Sequence, residues 1–187
     1  MIGYAFCGSF CTLAKSLAQM EALAKRYEIL PIVSPAVATT DTRFGKASDF
    51  LALMESITGR KPILTIPEAE PLGPARPLEA LVIAPCTGNT LAKIANGITD
   101  TSVTMAAKAH LRGGRPLVIA FASNDGLSGN LKNIGTLIVR KQVFFVPLGQ
   151  DDAIAKPSSL VCEFGKIPET LEAALEGRQI QPLLLRG

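Results

Sequence analysis

Uninterrupted apolar stretches alternate along this chain with segments in which apolar residues recur every three or four positions. The first kind is typical of strands that are buried on both faces of a sheet, and the second of amphipathic helices. The apolar stretches predict six strands, at about residues 2–7, 28–34, 62–66, 80–84, 116–122 and 143–146. The periodic segments predict helices at about residues 12–27, 43–58, 89–97, 101–112, 127–140 and 168–176.

This alternation predicts an α/β fold with a six-stranded, mainly parallel sheet. We expect a flavodoxin-like or Rossmann-like three-layer sandwich, in which helices cover both faces of the sheet. Residues 67–79 contain four prolines and no hydrophobic period, so they are predicted to form a loop. The 187 residues contain no internal repeat. We therefore predict one domain over residues 1–187, with residues 148–187 as a C-terminal extension.

Composition excludes several classes of protein. Apolar residues make up 48% of the chain and the mean hydropathy is +0.30, but no apolar stretch reaches the roughly 18 uncharged residues of a membrane-spanning helix. The net charge of +3 comes from dispersed cations, which do not indicate nucleic-acid binding. Four scattered cysteines without a histidine cluster predict reduced thiols in a cytoplasmic protein and no metal site. The first residues already have the pattern of a strand, so no secretory signal is expected.

Small, hydroxylated and amide residues follow four of the predicted strands. In an open parallel sheet, ligands bind beyond the carboxyl ends of the strands, where helix N-termini present unpaired N–H groups to anions. The candidate binding residues are Gly8, Ser9 and Phe10 after the first strand, Ser34 after the second, Thr87, Gly88, Asn89 and Thr90 after the fourth, and Ser123 and Asn124 after the fifth. Any one of these turns would more often be an ordinary helix cap. The four together predict a ligand site.

The glycine pattern of these turns favours a mononucleotide over a dinucleotide. The first turn has Gly8 alone where a dinucleotide fingerprint would have Gly-x-Gly-x-x-Gly, and the chain has no Walker lysine motif. FMN is therefore the better fit among nucleotide cofactors.

Cys86 is the candidate nucleophile, because it precedes a predicted helix and a helix N-terminus lowers the pKa of a thiol. The alternative is that Cys86 is only a small residue that fits the turn. His110, the single histidine, lies late in a predicted helix. We expect it to be solvated or to interact with the helix C-terminus, and not to act as a general base.

Residues 84–100, Ala-Pro-Cys-Thr-Gly-Asn-Thr-Leu-Ala-Lys-Ile-Ala-Asn-Gly-Ile-Thr-Asp, resemble a motif of the flavoprotein family. That motif is Pro-Ala-(Ser/Thr)-Ala-Asn-Thr-(Ile/Leu)-(Ala/Gly)-Lys-(Ile/Met)-Ala-x-Gly-x-x-Asp, and the family comprises oligomeric flavin-containing cysteine decarboxylases and prenyl-FMN synthases. The resemblance covers residues 1–147 and implies an FMN site and a homo-oligomer. It places Gly8, Ser9 and Ser34 against the flavin and its phosphate.

Two departures from this family affect the expected chemistry. Phe121-Ala122-Ser123-Asn124 stands where the family has Pro-x-Met-Asn, so the substrate clamp is altered although its asparagine is kept. The catalytic histidine of the decarboxylases is expected before the fourth predicted strand, and residues 67–79 contain none. The resemblance therefore implies the family's fold and pocket more than its decarboxylation.

One branch of the family, the B subunits of dipicolinate synthases, is similar over nearly the whole chain. The similar segments are residues 3–12, 43–45, 133–135, 140–141, 145–152 and 156–182. This resemblance implies an oxidoreductase subunit that is inactive without an NADP-binding A subunit. Together they would oxidise a dihydrodipicolinate-level precursor to dipicolinic acid in the mother cell of a sporulating bacterium.

The resemblance leaves two alternatives open, a stand-alone FMN-dependent decarboxylase and a non-catalytic scaffold. If a small dicarboxylate substrate lies at the strand ends, we expect Cys86 and Asn124 to contact it as catalytic residues.

Overall fold

The computed structural model describes residues 1–73, 75 and 78–185 of the chain. The strands in these ranges are β1 (Ile2–Phe6), β2 (Ile29–Val33), β3 (Ala80–Cys86), β4 (Leu117–Ser123), β5 (Val143–Phe145), β6 (Leu148–Gly149) and β7 (Leu160–Cys162). The α-helices are α1 (Leu13–Ala24), α2 (Pro35–Thr39), α3 (Ala47–Thr58), α4 (Ile66–Ala69), α5 (Gly88–Ala95), α6 (Ser102–Arg112), α7 (Leu131–Ile138) and α8 (Ile167–Leu175). Three short 3-10 helices cover Phe10–Thr12, Glu70–Leu72 and Phe164–Lys166.

The sheet confirms the predicted α/β class. Strands β2, β1, β3, β4 and β5 pair side by side and all run parallel, and β7 and β6 continue the sheet in antiparallel pairing beyond β4. The strand order reverses between β1 and β3, which is the point where ligands bind in doubly wound folds. Helix α1 contacts both α3 and α8, and α5 contacts α6 and α7. The two groups form the outer layers of a three-layer sandwich.

The central strands form because they are apolar throughout. Every residue of β1 and β3 is buried, as is all of β4 except its last residue, Ser123. Such runs require cover on both faces, which the two helical layers provide. Within the described part of the chain, no helix has the length and apolar character needed to cross a membrane.

The predicted third strand is wrong in its extent, and part of the predicted loop is helical. Only Ile63 bridges to the edge of β2, where its backbone pairs with Pro31 and Val33. The chain then turns into α4, because Thr65 and Glu68 form a capping box that starts a helix. The remainder of the predicted loop at residues 74, 76 and 77 lies outside the described residues.

The predicted C-terminal extension, residues 148–187, contains two strands besides the helix predicted for it. In the described part of the chain, strands β6 and β7 join the five predicted strands that form, so the sheet has seven strands and not the predicted six. Helix α8 confirms the predicted helix near residues 168–176. The apolar end of the chain also pairs with β6, because Leu148 donates to Leu183 and accepts from Leu185, both at 2.8 Å. Helix α2 is a further element that the hydrophobic pattern did not predict.

Candidate functional site

Three helix N-termini meet at the carboxyl ends of the central strands. The 3-10 turn before α1 follows β1, α2 follows β2, and α5 follows β3. The first two turns lie against each other, because a Cβ atom on Gly8 would be only 3.4 Å from the Cβ of Ala36. The strand ends therefore form one continuous surface that presents helix N-termini, as anion sites do.

The hydroxyl groups at these N-termini differ in their hydrogen-bond partners. Thr87 is an ordinary cap, since its Oγ1 accepts from the Thr90 N–H at 3.2 Å. Ser9 and Ser34 make no such cap among the described residues. The Ser34 Oγ is buried and has no hydrogen-bond partner in that part of the chain. A buried hydroxyl without a partner is costly, so Ser34 is a stronger candidate for ligand binding than Thr87.

A cavity of about 410 Å³ lies beyond the ends of β1, β3 and β4. It brings together five of the predicted site residues, which are Gly8, Ser9, Thr87, Ser123 and Asn124. Its other lining residues are Cys11, Thr12, Lys15, Ala122, Asp151, Lys156 and Val161. The volume is in the usual range for small-molecule sites. Asn124 is exposed there, so its amide can contact a ligand.

The other predicted binding residues do not line this cavity. Gly88 and Asn89 face a separate hollow of about 410 Å³ between α5 and α7. Phe10 packs against the apolar core, and Thr90 is buried in contact with Thr87. Ser34 is the N-cap of α2, the helix whose Ala36 lies against the Gly8 turn.

Gly88 is required for close packing. Its neighbours form a hydrogen-bonded polar cluster, in which Ser123 donates to Asp125 and Asn130 donates to Asp125 at 2.8 Å. A Cβ on Gly88 would lie 2.4 Å from Asn130 Nδ2. This cluster holds Ser123 at the edge of the cavity.

The predicted thiolate at Cys86 is wrong. The side chain is completely buried and does not line the cavity. Burial, and then the nearby thiols of Cys7 and Cys162, raise the pKa of Cys86 well above its usual value. Desolvation of the charged form outweighs the helix N-terminus. Cys11 is instead the exposed cysteine, and it lines the cavity.

His110 is in the last turn of α6, but the expectation that it is solvated is wrong. It is fully buried, and its Nε2 lies 2.9 Å from the carbonyl oxygen of Pro116. Burial lowers the pKa of His110, so the imidazole is neutral at pH 7. It does not line the strand-end cavity.

Three charged residues of the cavity are absent from the predicted site. Lys15 comes from α1, and Asp151 and Lys156 come from the loop between β6 and β7. Lys156 Nζ lies 2.9 Å from Asp151, which raises the pKa of Lys156. The position of Lys15 could have been read from the sequence, because it follows Cys11 by four residues and therefore lies close to the turn after β1. No local pattern links residues 151–156 to this place.

Comparison with known proteins identifies the family. The family described as Flavoprotein matches residues 59–172. The curated B subunit of the dipicolinate synthase of Bacillus subtilis (strain 168) is 43% identical over 187 residues, which cover 100% of this chain and 94% of that protein.

Solved structures agree with this match. The crystal structure of the dipicolinate synthase B subunit from Bacillus halodurans C has a TM-score of 0.91 and 44% identity, and the match covers 99% of this chain and 95% of that chain. A dodecameric FMN-dependent Ubix-like decarboxylase from Escherichia coli O157:H7 shares the fold, with a TM-score of 0.62, 22% identity, and 78% and 79% of the two chains covered. The chain therefore belongs to the flavoprotein family, in the branch formed by the B subunits of dipicolinate synthases.

Proposed function

We propose that this chain is the B subunit of a dipicolinate synthase. With an NADP-binding A subunit, it oxidises a dihydrodipicolinate-level precursor to dipicolinic acid in the mother cell of a sporulating bacterium. The observation that carries the proposal is the 43% identity to a curated B subunit, which extends over the whole chain and includes the C-terminal tail. Because that relative is named as a subunit, a partner is required.

We propose FMN as the cofactor, with its phosphate held at the N-termini that follow β1 and β2. Two hydroxyls support this placement: that of Ser34 is buried without a partner among the described residues, and that of Ser9 caps no backbone N–H and accepts only from the Thr12 hydroxyl there. When bound, FMN supplies electron-transfer chemistry. The chain's contribution is to bind the phosphate through hydroxyls and N–H groups. Thr87, Asn89 and the rest of the α5 N-terminus remain predicted contacts.

The substrate lies in the strand-end cavity, and Asn124 is the residue that we propose contacts it. Its exposed amide can donate to a carboxylate oxygen. A stand-alone decarboxylase is disfavoured, since the chain's single histidine is buried away from the cavity. We propose a homo-oligomer, which the dodecameric relative supports.

A reconstitution assay tests the subunit assignment. Dipicolinate formation is measured with the A subunit alone, with this chain alone, and with both. We expect product in quantity only when both are present. Equal rates with and without this chain would contradict the assignment.

Fluorescence titration tests the flavin site separately. We expect the chain to quench FMN fluorescence on binding, and Ser34→Ala and Ser9→Ala to weaken that binding. Ser56→Ala, an exposed serine of α3, is the matched control. If FMN binds neither to the chain alone nor to the reconstituted synthase, the flavin proposal is wrong, whatever the outcome of the reconstitution.

A further inference from the structure

Two lysines approach the strand-end cavity from the side of β7. Lys15 also lines a neighbouring hollow together with Val161 and Cys162 of β7. Lys156 lies on the loop that leads into that strand. Ser34 follows β2, at the other end of the order β2-β1-β3-β4-β7. The cations therefore lie away from Ser34, but they share the cavity with Ser9, the other residue proposed for the FMN phosphate.

The two lysines are both available to an incoming anion. Lys15 makes no ion pair within the described ranges. Lys156 pairs with Asp151, but these side chains are 51% and 34% exposed, and exposed pairs contribute little to stability. A ligand carboxylate can therefore replace Asp151 beside Lys156.

The rest of the cavity suits the body of a small heterocycle. Ala122 and Val161 provide apolar surface. Thr87 and Asn124 add neutral polar groups on the wall formed by β3 and β4. A ligand with two anionic groups and a flat apolar body matches this combination of two cations, apolar surface and amide.

We propose that Lys15 and Lys156 determine specificity, each binding one carboxylate of a heterocyclic dicarboxylate. The inference rests on the proposed function, which supplies the chemical class of the ligand. A monocarboxylate can engage only one of the two ammonium groups. The cavity therefore selects diacids over monoacids of the same ring.

Calorimetry on the full chain tests this assignment, with pyridine-2,6-dicarboxylate and pyridine-2-carboxylate as probes in buffer free of divalent metals. We expect the diacid to bind at least about tenfold more tightly than the monoacid, because a hydrogen bond to a charged group is worth about that factor or more. Lys15→Met and Lys156→Met should each remove about tenfold of diacid affinity and so reduce the preference. Lys25→Met, an exposed lysine just after α1, is the control and should bind like wild type.

Equal affinity of wild type for the two acids would overturn the assignment, as would lysine variants that bind like the control. In the reconstituted synthase, Lys15→Met should raise KM more than it lowers kcat. If the binding preference depends on the lysines but no synthase activity is found, the proposed function fails and the lysine assignment stands. If synthase activity is found and the lysine variants change neither binding nor KM, the assignment fails and the function stands.

Discussion

Substitution of Gly88 by alanine tests whether the start of α5 is as tightly packed as its neighbours indicate. The new Cβ would lie 2.4 Å from Asn130 Nδ2 and 2.7 Å from both Asp125 Oδ1 and Ser123 Oγ. All three distances are well inside ordinary van der Waals contact. The three side chains form one network, in which Ser123 and Asn130 each donate to one oxygen of Asp125, and Asn133 donates to Asn130 at 2.9 Å behind them. They cannot move away without breaking that network.

The expected cost of Gly88→Ala follows from three contributions. Overpacking costs about 1–3 kcal/mol. Loss of a hydrogen bond to the Asp125 carboxylate adds about 1 kcal/mol. This is less than is usual for a hydrogen bond to a charged group, because Asp125 is exposed to solvent. Alanine returns at most about 1 kcal/mol through its higher helix propensity. We therefore expect the free energy of unfolding to fall by about 2 kcal/mol.

Urea denaturation measures this change, and Gly135→Ala is the matched control. Gly135 is also helical, but a Cβ there would meet no described residue within 4 Å, so alanine should raise the free energy of unfolding by about 0.5–1 kcal/mol. The two glycine variants should thus shift the denaturation midpoint in opposite directions. If Gly88→Ala is as stable as wild type or more so, the packing argument is refuted.

Three further predictions concern stability. Because burial lowers the pKa of His110 below its unfolded value of about 6.5, the unfolded state binds the proton first as the pH falls. The free energy of unfolding should therefore decrease below pH 6.5, by at most about 1.4 kcal/mol per pH unit, until the folded pKa is reached. Urea midpoints measured between pH 5 and 8 should depend less steeply on pH in His110→Gln than in wild type. Gln179→Ala should cost about 1–3 kcal/mol in thermal melts, since the Gln179 amide bonds both the N–H and the carbonyl of Phe145, at 2.8 and 2.7 Å; an unchanged melting temperature would contradict it. Thr87→Ala should cost about 0.5–2 kcal/mol through loss of the α5 cap, whereas Thr87→Ser should retain the cap and most of the stability.

The parts of the fold that could be predicted are those determined by local pattern. Strands β1, β3 and β4 are continuous apolar runs, so their burial follows from the hydrophobic sequence, and their parallel direction follows from the alternation of strands with helices. Residues 62–66 show where this reasoning fails. Their apolar pattern predicts a strand, but the capping box of Thr65 and Glu68 ends it after a single bridge. The Thr65–Glu68 spacing of this capping box is visible in the sequence, but the hydrophobic pattern does not include it.

The candidate site was predicted where it depends on strand ends and missed where it depends on distant chain segments. Gly8, Ser9 and Asn124 meet because parallel strands bring their carboxyl ends to one edge. Lys156 arrives through the antiparallel pairing of β7, which only the assembled sheet determines. Cys86 was misjudged for the same reason, since the burial that raises its pKa comes from elements remote in sequence.

The pairing of β7 with β4 has a consequence for solubility. Strand β5 covers only Leu117–Ile119 of the β4 edge, which would leave the backbone groups near Ala122 open to another chain. Strand β7 closes that stretch, the two-residue β6 covers β7, and Leu184 makes one bridge to β6. The sheet thus ends in progressively shorter pieces, which is one way in which proteins avoid edge-to-edge aggregation. Residues 183–185, which pair with β6, thus help to cover the edge of the sheet close to the carboxyl ends of the strands, where a ligand needs an open approach.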